Sequence, residues 1–232
     1  MLDQASTLSQ KILPCNECAK LPVKAAQTVR PYVKPCAELD IYAKWKPAPI
    51  KVVFIAEAPP GNSKGYFYDP RPHPKYKETL RKELFNLLGL SLGDTAAKLA
   101  EFKERGYFLV DAIKCRCKKR NGQPPRAVTR TCAGKWLSVE LREIGRPERI
   151  CILGKAALLA LSELGGFQEL KGYSVTNHCG EVVKVGKHHK VLIWPFLGWR
   201  NERYYGAKIS MFKKFCIFDE DAVSGTEGSR GR

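Results

Sequence analysis

The segment KVVFIAEAPPG, residues 51–61, decides the class of fold. Its apolar, β-branched first half predicts a buried strand, and the Pro-Pro-Gly at its end predicts a loop. Two runs of the same kind follow, GYFLVDAIKC at 106–115 and RICILG at 149–154. The three runs therefore predict three buried strands.

Segments with other periodicities separate and follow these strands. Apolar residues at helical spacing predict helices, and alternation near the end of the chain predicts a hairpin that leads into a last strand. The predicted helices cover 75–90, 131–144, 155–166 and 204–218, and the hairpin with the last strand covers 172–196. Strands separated by helices predict an α/β fold, a three-layer α/β/α sandwich with a central, mostly parallel sheet.

Composition divides the chain into three parts. Residues 1–50 are Pro-rich and predict an irregular N-terminal arm, residues 51–218 predict the α/β domain, and residues 219–232 predict a disordered tail because they lack apolar periodicity. The sequence has no run of about 18 apolar residues that would predict a transmembrane helix. The first residues lack the pattern of a secretory signal, so we expect a cytoplasmic, nucleoid-associated protein that binds no membrane.

The charge of the chain is strongly positive. The 232 residues contain 40 Lys and Arg against 23 Asp and Glu, a formal net charge of +17, which indicates a polyanionic partner and nucleic acid first. Residues 112–139 contain no acidic residue, and this stretch predicts a phosphate-contacting surface. We expect Lys118, Lys119 and Arg120 to bind DNA there; a solvated loop is the alternative. The basic residues of the stretch are Lys114, Arg116, Lys118, Lys119, Arg120, Arg126, Arg130 and Lys135.

The predicted topology indicates where a ligand binds. In open α/β sheets, ligands bind outside the carboxyl ends of the strands. That rule places residues 57–61, 111–115 and 194–200 along one rim of the sheet.

The nine cysteines indicate a metal centre rather than disulfides. Their number is odd, and clustered cysteines in a reducing compartment more often bind a metal or an iron–sulfur cluster. Cys15 and Cys18 form a Cys-X-X-Cys pair, which places two thiolates within reach of one centre, and a second, distant pair completes a four-thiolate site. Zinc accepts the same ligands. Buried structural thiols are the third interpretation, and Cys151 in a predicted strand is expected in the core.

Five short motifs follow one another in an order that resembles a known family. They are Cys15-Asn16-Glu17-Cys18, Ala56-Glu57-Ala58-Pro59-Pro60-Gly61, Asp111-Ala112-Ile113-Lys114-Cys115-Arg116, Cys132, and Trp194-Pro195-Phe196-Leu197-Gly198-Trp199-Arg200-Asn201. Over residues 12–205 the chain resembles the uracil-DNA glycosylase superfamily, in its iron–sulfur, family 4-like branch. Two positions depart from the family pattern: Asp111 replaces the Asn that reads uracil, and Trp194 replaces the His of the His-Pro loop.

The resemblance implies a ligand set for the metal centre. Cys15, Cys18, Cys115 and Cys132 are expected to hold a [4Fe–4S] cluster, with zinc as the alternative. Such a cluster would attach the N-terminal arm to the basic stretch, so we expect a structural role without redox turnover. Cys36 and Cys117 are the substitutes if one of the four is not a ligand.

The resemblance also implies roles in base excision. A base inside a duplex must be flipped out before its glycosidic bond is cut. Glu57 is expected to position water or to stabilise an oxocarbenium-like sugar, and Asp111 is expected to read the base. The other residues implied are Ala58 with Phe67 or Tyr68 at the base, Leu197 or Trp199 as a wedge in the stack, and Arg200 on a phosphate. For Phe67 and Tyr68, packing on the core is the alternative.

These expectations converge on a DNA glycosylase. We expect a monomeric, monofunctional enzyme of base excision repair that hydrolyses the N-glycosidic bond of a flipped-out deaminated or damaged base, uracil or a related base, in double- or single-stranded DNA. The alternatives are a catalytically inactive iron–sulfur protein that binds nucleic acid on the same fold, and a hydrolase acting on deoxynucleotides or tRNA. Because an ionised Asp111 offers only hydrogen-bond acceptors, either its pKa is raised or the substrate carries an amino group.

Overall fold

The computed structural model describes residues 7–60, 65–71, 79–91, 93–119, 123–145, 147–197 and 206–218. The predicted tail, 219–232, lies outside these residues. In the described part of the chain, none of the helices has the length and apolar character needed to cross a membrane.

Seven strands form two sheets in the described residues. In chain order they are β1 (Val29–Arg30), β2 (Val52–Ala56), β3 (Tyr107–Asp111), β4 (Arg116–Cys117), β5 (Arg149–Leu153), β6 (Val182–Val185) and β7 (His189–Trp194). The central sheet has the order β3-β2-β5-β7-β6, and β1 pairs with β4 in a small separate sheet. The first four strands of the central sheet run parallel, and β6 runs antiparallel to β7. The prediction of a central, mostly parallel sheet is confirmed.

The helices are short, and they precede, connect and follow these strands. They are α1 (Leu8–Ile12), α2 (Val23–Ala26), α3 (Pro35–Glu38), α4 (Ile41–Lys44), α5 (Thr79–Leu88), α6 (Thr95–Glu104), α7 (Arg126–Cys132), α8 (Ser138–Glu143), α9 (Lys155–Ser162) and α10 (Ile209–Cys216). A π-helical turn, Ala133–Leu137, joins α7 to α8 without a break.

Helices cover both faces of the central sheet, which makes the three-layer sandwich. On one face, the Phe54 ring of β2 lies 5.8 Å from Phe102 of α6 and 6.3 Å from Phe212 of α10. On the other face, Phe108 of β3 lies 6.2 Å from Tyr42, in α4. The Tyr42 hydroxyl donates to Glu140 of α8 over 2.6 Å, so α4 and α8 belong to the same layer. Burial on both faces explains why β2 contains only apolar residues and why the single charged residue of β3 is its last, Asp111.

Three elements differ from the sequence-based expectation. The N-terminal arm is not irregular: it forms short helices whose Leu8, Ile12 and Ile41 are buried in the core. The helix expected at 131–144 begins earlier, at Arg126, directly after Pro125, where a proline N-cap is compatible with a helix start. Helix α6 was not predicted, although Asp94 caps it by accepting a hydrogen bond from the Ala97 amide.

The strand order creates one switch point. The chain passes from β2 to β3 on one side of β2, and then crosses to β5 on its other side. Loops that leave β2 and β5 therefore diverge, and a crevice opens between their carboxyl ends. The residues that follow these two strands are Glu57 and Gly154.

Candidate active site

Glu57 is the acidic residue at the switch point. It follows β2 directly, and only 1% of its surface is exposed. Its Oε1 accepts a hydrogen bond of 3.3 Å from the backbone amide of Ala156, in the first turn of α9. The positive end of that helix favours a carboxylate at this place. Its Oε2 forms an ion pair of 2.6 Å with Lys119 Nζ.

Gly154 leaves the space that Glu57 occupies. A Cβ at Gly154 would lie 2.6 Å from Glu57 Oε1 and 3.0 Å from its carboxyl carbon. The backbone of Gly154 has φ +107°, a conformation that L side chains rarely adopt. Sequence reasoning missed this role; the signal was a glycine between a buried strand and a helix.

Lys119 reaches Glu57 from the basic stretch. Its side chain is 26% exposed, and its Nζ lies 4.1 Å from the centroid of the Phe196 ring. Phe196 follows β7, two residues after Trp194. The ammonium group is thus held between a carboxylate after β2 and an aromatic face after β7. From the sequence we expected Lys119 on a DNA phosphate; in the structure its partner is Glu57.

Asp111 is the last residue of β3, on the strand next to β2, and it is 4% exposed. Burial raises the pKa of its carboxyl to about 7, against the opposing positive charges of Lys114 and Lys119, while Glu140 raises it further. Asp111 Oδ2 and the Tyr66 hydroxyl are both buried, and among the described residues neither makes a hydrogen bond of ordinary geometry, although Tyr66 is close enough to lower the pKa of Asp111 slightly. The two groups are near neighbours. Burial is the main reason why the pKa of Tyr66 is raised, and the negative charge of Asp111 raises it further.

A buried ion pair supports the segment after Asp111. Lys114 and Glu140 are both almost fully buried and form a salt bridge. Lys114 Nζ also donates to the Asp111 carbonyl, and Glu140 accepts the Tyr42 hydroxyl. Lys114 therefore joins the loop after β3 to α8, a role that the sequence did not indicate.

The aromatic residues expected at the base lie in the core. Phe67 is 3% exposed and packs on Phe85 and Phe102 at 5.6 and 5.2 Å. Tyr68 is 1% exposed, and its hydroxyl accepts the Leu109 amide. Both residues thus have the core position that the sequence left as the alternative, and Tyr66 is the aromatic beside Asp111.

The remaining residues expected to contact DNA or the base differ in their exposure. Leu197, expected as a wedge, is fully buried in the core, as is Trp194, whose ring lies 4.9 Å from Phe212. Ala58, expected at the base, is half-buried beside Glu57. Lys118 is exposed, as the DNA-binding prediction requires. Arg120, Trp199 and Arg200 lie outside the described residues.

The four cysteines named as ligands come together. Cys15, Cys18, Cys115 and Cys132 line one pocket, together with Lys114 and Trp136. The Trp136 indole donates to Cys15 Sγ over 3.0 Å, and the Lys114 amide donates to Cys132 Sγ over 3.3 Å. A Cys18–Cys132 hydrogen bond lowers the pKa of Cys132, and burial raises the pKa of Cys115 to about 12.

The four thiols share one pocket, but they do not form a ready-made set of metal ligands. In the described ranges, no group of three or more His, Cys, Asp or Glu side chains is arranged so that it could hold a metal ion. Cys36 and Cys117, the substitutes, are buried and do not line the pocket. Cys151 lies in β5 and is fully buried, as expected of a core residue.

Comparison with known proteins identifies the family. The model of the uracil DNA glycosylase superfamily matches residues 44–215, a range that contains the central sheet with Glu57, Asp111 and the loop after β7. The matched range begins at residue 44, within the N-terminal arm and after Cys15 and Cys18. Among curated proteins, no sequence matches the chain. The match spans well over half of the chain and agrees with the strand order, so the chain belongs to the uracil DNA glycosylase superfamily.

Proposed function

We propose that the protein is a DNA glycosylase that hydrolyses the N-glycosidic bond of a flipped-out base, uracil or a base with the same reading edge. The observation that carries the proposal is the position of Glu57 and Asp111. Both are nearly fully buried carboxyl groups, and they end neighbouring parallel strands at the rim of the sheet. This rim is where a ligand is expected in such a sheet.

The two carboxyl groups have environments that suit different tasks. Glu57 accepts a hydrogen bond from a helix N-terminal amide and forms an ion pair with the Lys119 ammonium. An ionised carboxylate stabilises the positive charge that develops on the sugar as the glycosidic bond breaks. Glu57 can also orient the water that attacks the sugar.

Asp111 has the opposite environment. Because burial raises its pKa to about 7, the carboxyl is half protonated near neutral pH. A protonated carboxyl presents one donor and one acceptor, as an Asn side chain does, and these match the O4 acceptor and the N3–H donor of uracil. Its Oδ2, which makes no hydrogen bond of ordinary geometry to the described residues, is a buried polar atom beside Tyr66 that can face a base. The protonated form of Asp111, which predominates below about pH 7, thus replaces the family's Asn without loss of complementarity.

We propose further that Cys15, Cys18, Cys115 and Cys132 hold a [4Fe–4S] cluster. Four thiols around one pocket and two N–H···S hydrogen bonds to them support this proposal. Zinc, which accepts the same four thiolates, is the alternative. When bound, the cluster would supply a cross-link between the arm and α7. The backbone already joins these two parts of the chain, because β1 of the arm pairs with β4 of the basic stretch.

DNA is the proposed partner, and exposed cations of the basic stretch support it. Lys118, Arg126 and Arg130 are exposed, whereas Lys114 and Arg116 are buried. Only the exposed group can reach phosphates without rearrangement.

The test is excision from oligonucleotides that carry a single uracil, measured under single-turnover conditions. We expect the wild type to release uracil, and Glu57→Gln to lose about 10²-fold or more in rate. Glu148→Gln is the matched control, because Glu148 is an exposed carboxylate that precedes β5, at the opposite end of the sheet.

Binding without excision would instead support an inactive nucleic-acid-binding protein. One observation favours that second candidate: Trp194, at the position of the family's His, is fully buried in the core and offers nothing to a departing base.

A further inference from the structure

We propose that Lys119 is a catalytic residue, the cation that stabilises the departing base as an anion. This inference rests on the proposed function and assigns a role to a residue that the sequence placed on a DNA phosphate. It follows from the position of the Lys119 ammonium between Glu57 and Phe196.

The charge requirement comes from the reaction itself. When the bond between sugar C1′ and the base nitrogen breaks, its electron pair goes to the base, and C1′ becomes cation-like. Water then adds to C1′ and loses a proton to a general base. The departing nucleobase, which leaves as an anion, is protonated later. The transition state thus has a positive sugar beside a negative base. A fixed pair of opposite charges stabilises such a dipole with little reorganisation.

Glu57 and Lys119 form such a pair. The carboxylate oxygen and the ammonium nitrogen are 2.6 Å apart. If Glu57 stands beside C1′, Lys119 Nζ lies in the same site, one ion-pair distance from the carboxylate. In the arrangement that we propose, the negative member faces the developing cation, and the positive member faces the base nitrogen that becomes the anion.

The surroundings hold Lys119 in place. Glu57 is 1% exposed, so its charge is little screened by water, and the Phe196 ring contacts the ammonium from another side. Both contacts hold the ammonium group beside the carboxylate. The Lys119 side chain is still 26% exposed, so a flipped nucleotide can reach it.

Two other cations of the basic stretch are bound to other groups. Lys114 is buried and bound to Glu140 and the Asp111 carbonyl, and Arg116 donates to the Pro60 carbonyl. Lys118 precedes Lys119 but has no ion pair within the described residues. Among the described cations of the basic stretch, Lys119 is therefore the one fixed at Glu57.

The experiment compares two leaving groups in the same DNA sequence. Uracil and 5-fluorouracil differ by one fluorine, which withdraws electrons and makes the base a better leaving anion. We expect Lys119→Met to slow uracil release by about 10²-fold and 5-fluorouracil release much less, so that the ratio of the two rates rises about tenfold or more. Lys119→Arg keeps the charge and should keep the ratio close to that of the wild type.

The ratio is independent of how much of a variant is folded, because both rates come from one preparation. Lys118→Met is the matched control: it removes the same charge one residue earlier, and we expect any loss to be equal for both bases. An equal loss for both bases in Lys119→Met would overturn the inference and indicate a phosphate contact. Wild-type protein that releases neither base would refute the proposed function itself.

Discussion

Glu57 Oε1 lies 2.6 Å from the point at which Gly154 would carry a Cβ. The two residues are 97 positions apart, yet each restricts the side chain that can occupy the other position. The carboxylate fills the space above the glycine, and the glycine gives the chain the turn that starts α9, whose amide holds the carboxylate.

Gly154→Ala tests this relationship. The φ of +107° costs an alanine about 1–3 kcal/mol, and the Cβ would also displace the Glu57 carboxylate. We expect a lower melting temperature together with a large loss of excision. Gly145→Ala is the matched control, because Gly145 has φ +93° and nothing within 4 Å of its Cβ position. It should lose stability and retain excision; equal losses of activity in the two variants would contradict the contact.

The pH dependence of uracil excision should report Asp111. Its pKa is about 7 in the folded protein, against an ordinary value of 3.8, because the side chain is buried. Excision by the wild type should therefore fall as the pH rises through 7, as the carboxyl loses the proton that it donates to O4. Asp111→Asn should stay active across that range. Lys114, Lys119, Glu140 and Tyr66 are the charged or titratable groups that act on Asp111.

The same ionisation affects stability with a defined sign. Between about pH 4 and pH 7 the unfolded chain has lost the Asp111 proton and the folded chain has kept it. The folded state is therefore destabilised progressively as the pH rises across this window, and no further above it. Urea unfolding of Asp111→Asn should show a stability gain over the wild type that grows from pH 4 to pH 7.

The excision assays on Asp111→Asn have two further outcomes. If the variant alters neither the pH profile of excision nor the choice of base, Asp111 does not read the base. A gain of uracil excision with loss of another substrate would indicate that the native substrate is a base with an amino group.

The proposed [4Fe–4S] cluster predicts a colour. Protein purified without oxygen should be brown, with absorption at about 400 nm from thiolate-to-iron charge transfer. Cys132→Ser should remove the colour, since Cys132 lines the pocket, and Cys179→Ser should not, since Cys179 lies outside it. Colourless protein with one zinc per chain would contradict the cluster and leave the four-thiolate site intact.

The salt dependence of DNA binding should identify the phosphate contacts. Affinity should fall by roughly tenfold or more between dilute and physiological salt, because basic side chains displace counterions from DNA. Lys118→Ala should weaken binding and reduce the slope of log affinity against log salt by about 0.9. Lys190→Ala removes an exposed lysine at the start of β7, at the opposite end of the sheet, and should leave the slope unchanged. A slope that Lys118→Ala does not change would exclude this residue from the contacts with DNA.

The sequence alone predicted the sheet and the identity of its rim. Continuous apolar runs predict strands buried on both faces, and β2, β3 and β5 lie within the predicted segments. The prediction holds because burial on both faces is a local property of each segment, visible in its residues. The four cysteines and the two acidic residues were also named from the motifs, and the structure brings them to one pocket and to one rim.

Tertiary structure alone decided which side chains meet at that rim. In the sequence, Lys119 is one of eight cations in the basic stretch. It pairs with Glu57, 62 positions earlier, only because the loop that carries Lys119 folds back onto the edge of the sheet. The sequence places Phe67 and Tyr68 in a loop, but in the structure both are buried in the core. Phe67 packs on Phe102, and the Tyr68 hydroxyl accepts the Leu109 amide. Tyr66 is then the aromatic residue beside Asp111. Partner choice depends on the position of distant loops and on the volume that the core has left to fill. Neither quantity is written in the periodicity of a single segment.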